Sequence, residues 1–205
     1  SSVGGSVPDG PAIDSYDKLI LHSDSTNGNT TFTDSSTSSH GIIANNNVQH
    51  TTAQAKFGAT SIIFDGTTDY LDVTGTTADW VLGTGDFTID FWFYQVGTAD
   101  AIIIGNSSTG GTSASVWRLK NYTGLKFGSS HADHVTDSQA IGQSAWKHIA
   151  VTRSGSSFRV FHNGTITASG VHTNSNNYSD PNYGNIRFHP RLNIPNVYNS
   201  PLYNL

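Results

Sequence analysis

The sequence predicts an all-β fold, an antiparallel β-sandwich made of many short strands. Residues that usually cover the exposed faces of helices are scarce: all 15 acidic residues are Asp, Glu and Met are absent, and Lys and Arg total 10. Short apolar runs instead alternate with clusters of Gly, Asn, Ser, Thr and Asp, as expected for strands joined by tight turns. A chain of 205 residues fits one such sandwich, because all-β domains often reach about 200–250 residues.

Each strand is predicted from a short apolar or alternating run that is bounded by turn residues. The predicted strands cover residues 17–23, 40–50, 59–65, 69–74, 86–95, 101–105, 114–120, 124–128, 146–153, 157–163, 165–171 and 185–189. Residues 1–15 precede them and are rich in Gly, Ser and Pro, so we expect a flexible N-terminal arm or linker followed by a single domain over residues 16–205.

The most regular alternation lies in the segment FTIDFWFY, residues 87–94. Successive side chains of a strand point to opposite faces of its sheet. One face of this strand collects the apolar residues Phe87, Ile89, Phe91 and Phe93. The other face collects Thr88, Asp90, Trp92 and Tyr94. We predict that the first face is core, and that the second either packs under another layer or forms a binding face.

A three-stranded meander is predicted near residue 155. The strand over residues 146–153 turns at Ser154-Gly155-Ser156 into the strand over residues 157–163. Asn163-Gly164 then forms a second tight turn, since Asn-Gly readily adopts the positive φ angles of a two-residue hairpin loop.

Composition argues against several function classes. The net charge is −5 and no Lys/Arg cluster occurs, which disfavours nucleic acid as a partner because that binding depends on neutralising phosphates. The absence of cysteine excludes disulfides and Cys-ligated zinc. No apolar run approaches the roughly 20 residues of a membrane span, so we expect no membrane partner.

Three segments together resemble the laminin-G-like, concanavalin A-like lectin superfamily, of the kind found in bacteriophage virion proteins. They are KFGATSIIFDGTTDYLDV at 56–73, GDFTIDFWFY at 85–94 and AWKHIAVTRSGSSFRVFHNGT at 145–165. The resemblance covers about residues 17–170 and implies a concanavalin A-like jelly roll in which Trp146 plugs the sandwich. It fails in the tail: residues 190–205 lack the family's closing pattern and are expected to be irregular, to hold a truncated last strand, or to pair with another subunit.

The resemblance also brings in enzymes, because the superfamily includes glucanases that use two carboxylates about 5–5.5 Å apart. Those relatives take the carboxylates from Glu residues of one strand. This chain has no Glu, and the matching strand offers only Asp90. We therefore predict that the protein is not an enzyme, with a glycoside hydrolase as the least favoured function.

Calcium is the cofactor that the resemblance implies, and no other is expected. Candidate ligands are Asp65, Asp69 and Asp72, which lie at a predicted corner between two strands. A second candidate is the loop from Asp24 to Asp34. The alternative for both is that each Asp only accepts hydrogen bonds within its own turn.

Histidines and loop aromatics supply the remaining candidate sites. We interpret His131 and His134 as surface residues, because their spacing does not fit a zinc site, and His148 and His162 as a cross-strand pair. Lectin-like sandwiches bind glycans through aromatic rings that stack on sugars. The candidates for such a ring are Trp117, Tyr122, Tyr178 and Tyr183, with core packing as the alternative for each.

The resulting functional hypothesis is a structural or binding module of a phage virion surface: a decoration, fibre or tail-associated protein. Its expected partners are other virion proteins, copies of itself, and cell-surface glycans, and its expected location is the virion. The alternative is a lectin-like carbohydrate-binding adhesion domain of a bacterial secreted protein, which would be extracellular.

Overall fold

The chain folds into short strands. The computed structural model describes residues 13–96, 101–106, 116–129, 132–171, 178, 185–188 and 197–198. The strands are β1 (Gly41–Asn45), β2 (Gln49–Thr51), β3 (Ser61–Ile63), β4 (Tyr70–Thr74), β5 (Phe87–Tyr94), β6 (Ala101–Gly105), β7 (Trp117–Asn121), β8 (Leu125–Ser129), β9 (Asp133–Thr136), β10 (Trp146–Ser154), β11 (Ser157–His162), β12 (Thr165–Val171), β13 (Ile186–Phe188) and β14 (Val197–Tyr198). Within the described residues the only helical element is a 3-10 turn at Thr77–Trp80.

The strands form two antiparallel sheets. Sheet 1 has the order β1-β4-β13-β6-β7-β8-β9, and sheet 2 has the order β12-β11-β10-β5-β14-β3-β2. Many neighbours within each sheet are distant in sequence, so the fold depends on long-range pairing rather than on local hairpins alone. The predicted all-β antiparallel sandwich is confirmed.

The core lies between the sheets. On β5 the predicted apolar face, from Phe87 to Phe93, is buried, while the alternate residues are half-buried on the outer face. Phe127 on β8 of sheet 1 reaches Phe87 and Phe158 on sheet 2, with ring centroids 5.0 and 5.9 Å apart, and also contacts Tyr178 at 5.7 Å. These aromatic contacts therefore tie the two sheets together.

The predicted meander is confirmed. Strand β10 pairs with β11, and β11 pairs with β12. Asn163 and Gly164 have φ angles of 50° and 78°, the left-handed values that a two-residue turn of this type requires.

Three elements differ from the sequence prediction. The strand predicted over 40–50 is two strands in different sheets, because the chain turns at Asn46, whose φ is 61°. The segment 17–23 is buried around Leu19 to Leu21 but forms only an isolated bridge from Leu21 to Asp34. Strand β9 is additional to the predicted strands, because its sequence carries no apolar run.

The last two strands in chain order, β13 and β14, are interior strands of the two sheets. Strand β13 lies between β4 and β6, and β14 lies between β3 and β5. Of the alternatives for residues 190–205, the described part shows a short strand, β14, which pairs within the chain; the other residues of this range lie outside the described residues. The two residues of β14 are held in the sheet by backbone pairing with β3 on one side and β5 on the other. Such pairing leaves no pattern in the sequence.

The cross-sheet packing of Phe127 yields a stability prediction. Phe127→Ala should lower the free energy of unfolding by about 3–5 kcal/mol, because it leaves a cavity where both sheets meet. Chemical denaturation measures the change. Phe57→Ala is the control, since the Phe57 side chain is 55% exposed, and it should cost about 1 kcal/mol or less. Equal losses in the two variants would contradict the central role of Phe127.

Candidate functional site

The outer face of sheet 2 carries a row of aromatic side chains, here called the aromatic strip. It comprises Phe57, Trp92, Tyr94, Trp146 and His148. Strand pairing places Trp92 opposite His148 and Tyr94 opposite Trp146. Because the alternate residues of β5 fill the core, these side chains point away from it.

Ring contacts organise the strip. Phe57, from the loop between β2 and β3, meets Trp92 edge to face with ring centroids 5.5 Å apart. Trp92 lies 5.4 Å from His148, and Tyr94 lies 5.5 Å from Trp146. Phe57 is the exposed end of the strip, and the other rings are half-buried. The result is a supported apolar surface rather than isolated exposed rings.

Polar groups flank the rings. The ammonium of Lys56 lies 4.2 Å from the centre of the Trp92 ring, within the range of a cation–π contact. His148 Nε2 lies 3.8 Å from Asp90 Oδ2. Burial lowers the pKa of His148, so its imidazole is neutral at pH 7 and offers one nitrogen as donor and one as acceptor. Aromatic faces with adjacent donors and acceptors suit a ligand that has both C–H faces and hydroxyl groups.

Two of the predicted glycan-stacking residues are core residues instead. Trp117 is 2% exposed and its indole Nε1 donates to the Trp80 carbonyl at 3.0 Å. Tyr178 is fully buried and its hydroxyl hydrogen-bonds His134 Nδ1. Their rings pack against Phe127, so neither can stack on a sugar. Of the other two candidates, Tyr122 is 36% exposed, whereas Tyr183 lies outside the described residues.

Sequence reasoning found part of the aromatic strip. The alternation in β5 placed Trp92 and Tyr94 on one face and left a binding face as one of two alternatives. The family resemblance implied that Trp146 plugs the sandwich, but the register with Tyr94 places Trp146 on the outer face. No sequence pattern indicated Phe57 as part of the strip. It lies in a loop, distant in sequence from Trp92, and the two rings meet only in the tertiary fold.

The predicted calcium corner is a hydrogen-bonded loop. The Asp65 carboxylate accepts the backbone N–H groups of Thr67, Thr68 and Asp69 at 2.8–3.1 Å. Asp69 accepts the N–H groups of Asp65 and Asn47, each at 2.8 Å. Burial acts to raise the pKa of Asp65, but hydrogen bonds from Thr67, Thr68 and Asp69 outweigh it and hold the pKa well below its ordinary value.

Asp72, the third predicted ligand, faces Arg187 instead: Arg187 Nη2 lies 2.8 Å from Asp72 Oδ2, and Arg187 Nε contacts Asp72 Oδ1. In the second predicted loop, Asp24 accepts the N–H of Ala59, while buried Asp34 accepts the N–H groups of Ile20, Ser36 and His40. Within the described residues no three His or Asp side chains converge as metal ligands. Calcium binding stays a prediction.

The histidine interpretations need correction. His134 is buried rather than exposed, and His131 lies outside the described residues. His148 and His162 are not a cross-strand pair: His162 lies opposite the core residue Ile149, while His148 lies opposite Trp92 on the outer face. His162 instead contacts buried Asp137, with Nε2 3.1 Å from Oδ2.

Sequence comparison identifies the family. Residues 65–188 match a laminin G family model described as the concanavalin A-like lectin/glucanases superfamily, and this match spans more than half of the 205 residues. The chain belongs to this superfamily. The predicted family is thereby confirmed. No curated protein sequence matches the chain.

Solved structures with a similar fold include binding domains of botulinum neurotoxins. The binding domain of neurotoxin DC in complex with SialylT is 15% identical, with a TM-score of 0.66, and the match covers 95% of this chain and 48% of that one. The same domain with rat synaptotagmin II gives 15% identity, a TM-score of 0.62, and coverage of 91% and 47%.

A third solved structure is of botulinum neurotoxin type C, whose cell entry is described as dependent upon interaction with two ganglioside molecules. It is 16% identical to this chain, with a TM-score of 0.65 and coverage of 91% and 47%. The chain thus spans about half the length of these proteins, and the likeness shows a shared fold. Within the described residues, no helix has the length and apolar character of a membrane span.

The hydrogen bonds to Asp65 predict a pH dependence. The folded-state pKa of Asp65 lies below its ordinary value of 3.8, so its ionised form stabilises the fold above that pH, and the stabilisation is lost as the pH falls toward the folded pKa. Asp65→Asn should therefore be less stable than wild type at neutral pH, by roughly 1 kcal/mol or less for so exposed a group. Urea denaturation should show this difference shrinking below about pH 4, and a constant difference would contradict the prediction.

The same two proteins test the predicted calcium site. Thermal unfolding is measured in calcium chloride and in EDTA, because a ligand that binds only the folded state raises Tm. A calcium-dependent rise in wild type that Asp65→Asn loses would support the site at the corner. Identical melting of wild type in calcium and EDTA would contradict it.

Proposed function

We propose that this protein is a non-enzymatic carbohydrate-binding module of a virion surface, and that the aromatic strip is its glycan-binding site. The observation that carries the proposal is the contact between exposed Phe57 and Trp92 on the outer face of sheet 2. Large aromatic side chains are costly to leave at a surface unless they serve packing or binding.

The chemistry of the strip fits a saccharide. The C–H face of a hexose is apolar and can stack on Trp92 or Phe57, while its hydroxyl groups need donors and acceptors at the edge. Lys56, Asp90 and His148 supply an ammonium, a carboxylate and a neutral imidazole beside Trp92. Strands β5 and β10 hold Trp92 and His148 in fixed register, which lowers the entropy lost on binding.

A non-enzymatic role is supported by the carboxylates. Retaining and inverting glycosidases both need a pair of carboxyl groups flanking the scissile bond. Among the polar groups that flank the strip, Lys56, Asp90 and His148, Asp90 supplies the one carboxylate. Asp65, Asp69 and Asp72 lie in loops or ion pairs of their own, where they organise the fold.

Family and fold agree with a binding role. The superfamily includes lectins, and the similar neurotoxin structures have SialylT, ganglioside molecules and synaptotagmin II as their partners. Because identity is 15–16%, these partners define a class of ligand for this chain rather than a specific one. The virion assignment is supported by the resemblance to phage virion modules and by the composition, rich in Gly, Ser, Thr and Asn.

The aromatic strip predicts the effect of two substitutions. Phe57→Ala and Trp92→Ala should each weaken binding to the best ligand of a printed oligosaccharide array by about 3–10-fold, since one aromatic contact contributes about 0.5–1.5 kcal/mol. Titration followed by tryptophan fluorescence measures the affinity of the Phe57 variant. Calorimetry serves for Trp92→Ala, which removes part of the fluorescence signal.

Ile166→Ala is the matched control for these variants. Ile166 is 53% exposed on β12 of the same sheet, and its loss removes an apolar side chain outside the strip. The Phe57→Ala variant is expected to fold normally, because the Phe57 side chain is largely exposed. A loss of binding in this variant would therefore reflect the lost ring and not misfolding. Unchanged affinity in both aromatic variants would rule out the strip as the site, and binding of no oligosaccharide by wild type would overturn the proposed function.

The virion assignment predicts that the N-terminal arm contributes to attachment. Deleting residues 1–12 should release the protein from the particle fraction of its source without unfolding the domain. Residues from Ile13 onward are kept, because Asp14 hydrogen-bonds Asp17 and Thr37. Cosedimentation with purified particles measures attachment, and a scrambled arm is the control. If the protein with its full arm fails to cosediment, the extracellular adhesion module is favoured instead.

A further inference from the structure

A cleft lies at one end of the sandwich, between the two sheets, and is here called the end cleft. Its floor is buried and includes Gln95, Gly124 and Ile141. Its rim is exposed and includes Thr123 and Gln143. The volume of the cleft is about 210 Å³. A cavity of roughly 150 Å³ holds a benzene ring, so the end cleft has room for one six-membered ring.

Strand alternation brings two amide side chains to the cleft. Gln95 follows β5 on the inward side, two residues after the core residue Phe93. Asn121 ends β7 on its inward side, two residues after the core residue Leu119. The two amides meet between the sheets, where Asn121 Nδ2 donates to Gln95 Oε1 at 3.3 Å. Gln95 is 5% exposed, so it is a fixed support that orients the amide of Asn121.

Backbone contacts fix the two walls of the end cleft. On one side the Ser144 N–H donates to the Gln95 carbonyl at 2.9 Å. On the other side the Asp137 N–H donates to the Leu125 carbonyl at 2.7 Å. A Cβ on Gly124 would lie 1.9 Å from the Asp137 carbonyl oxygen, so the turn between β7 and β8 packs directly on this segment. The loop between β9 and β10 is thus tied to both sheets, and a preformed cleft loses less entropy on binding.

Thr123 at the rim has a strained backbone. Its φ is 53°, in the left-handed region that a β-branched residue rarely adopts. Gly would adopt this angle without strain, so the choice of Thr destabilises the fold. Strain of this kind is typical of binding and active sites. Thr123 Oγ1 donates to the Tyr122 carbonyl at 2.6 Å, and the hydroxyl oxygen can still accept a hydrogen bond from a ligand.

The lining of the end cleft combines amide groups with apolar side chains. Asn121 and Gln143 each carry a carbonyl acceptor and an NH₂ donor, and Ala140 and Ile141 supply apolar contact. None of the described lining residues is charged, so the lining offers no counter-charge to an ionic ligand. An acetamido group has the matching parts, because its amide both donates and accepts and its methyl group is apolar.

The end cleft continues the aromatic strip. Phe57 contacts Trp92, and the pair of Tyr94 and Trp146 lies beyond Trp92 toward the end of β5. A strand rises about 3.3 Å per residue, so Tyr94 lies about 7 Å along β5 from Trp92. Gln95 of the cleft floor follows Tyr94 directly. An oligosaccharide that lies along the strip therefore reaches the cleft with its terminal residue.

We propose that the end cleft binds the terminal N-acetylated sugar of a neutral glycan whose inner residues stack on the aromatic strip. Asn121 and Gln143 hydrogen-bond the acetamido group, and Ala140 and Ile141 contact its methyl group. Thr123 accepts a hydrogen bond from a ring hydroxyl. This inference rests on the proposed function and deepens it, because it adds a selective subsite to the glycan-binding surface and names the sugar class.

The test compares two pairs of neutral probes by calorimetry on wild type. Chitotetraose and cellotetraose share one linkage and differ in their acetamido groups. Lactose extended by N-acetylgalactosamine or by galactose forms the second pair. In at least one pair the acetamido probe should bind about tenfold more tightly, because its partner leaves the cleft amides without their hydrogen bonds. Equal affinities within both pairs would overturn the proposal.

Gln143→Ala should weaken binding of the preferred acetamido probe by about 3–10-fold, since it removes one hydrogen bond at an exposed position. Gln139→Ala is the matched control: Gln139 is exposed in the same loop but does not line the cleft, and its variant should bind as wild type does. Unchanged binding in Gln143→Ala would contradict the assigned contact.

Thr123→Gly is a variant whose effect misfolding cannot mimic. It relieves the strained φ angle, so its Tm should equal or exceed that of wild type. It also removes the hydroxyl acceptor, so the acetamido probe should bind about threefold more weakly. Weaker binding with a lower Tm would overturn the role of Thr123 as a ligand contact.

The strip variants separate this inference from the proposed function. If Phe57→Ala weakens glycan binding while Gln143→Ala and Thr123→Gly do not, the cleft subsite is overturned and the aromatic strip stands. If the acetamido probes fail to bind wild type while another array glycan binds, the same conclusion follows. Weaker binding of the acetamido probe in both the Phe57 and the Gln143 variants supports one continuous site.

Discussion

Aromatic side chains that meet around Phe127 hold the two sheets of this protein together. Phe127 comes from sheet 1, and it packs against Phe87 and Phe158 of sheet 2 and against Tyr178 near the end of the chain. No disulfide is available, because the chain has no cysteine. Burial of each large ring stabilises the fold by roughly 1.5–3 kcal/mol. This burial takes the role that disulfides have in other small β-domains.

The choice of core side chains also determines which side chains lie on the outer faces of the sheets. A strand that sends every second residue inward must send the others outward, so the inward Phe residues of β5 place Trp92 and Tyr94 on the outer face. Strand β7 follows the same rule, with Trp117 and Leu119 in the core and Arg118 and Lys120 outside. The two outer surfaces are thus direct consequences of one packed interior.

The two surfaces differ in chemistry although they belong to one sandwich. The outer face of sheet 2 carries the rings and polar groups of the aromatic strip, whereas the outer face of sheet 1 carries Lys120 near the ring of Tyr122. Many copies of such a module on one surface would multiply weak contacts, since linked sites raise the effective concentration of each further one.

The sequence by itself determined the all-β class, the two faces of β5 and the turn at Asn163-Gly164, because alternation and turn chemistry are encoded within a few neighbouring residues. Only the tertiary structure decided that Trp117 is buried and Phe57 meets Trp92. It also placed β14 between β3 and β5 and brought Lys120 opposite Lys126. Those features depend on strand order and register, which are set by contacts between segments that are distant in sequence. A pattern within a few neighbouring residues does not encode such contacts.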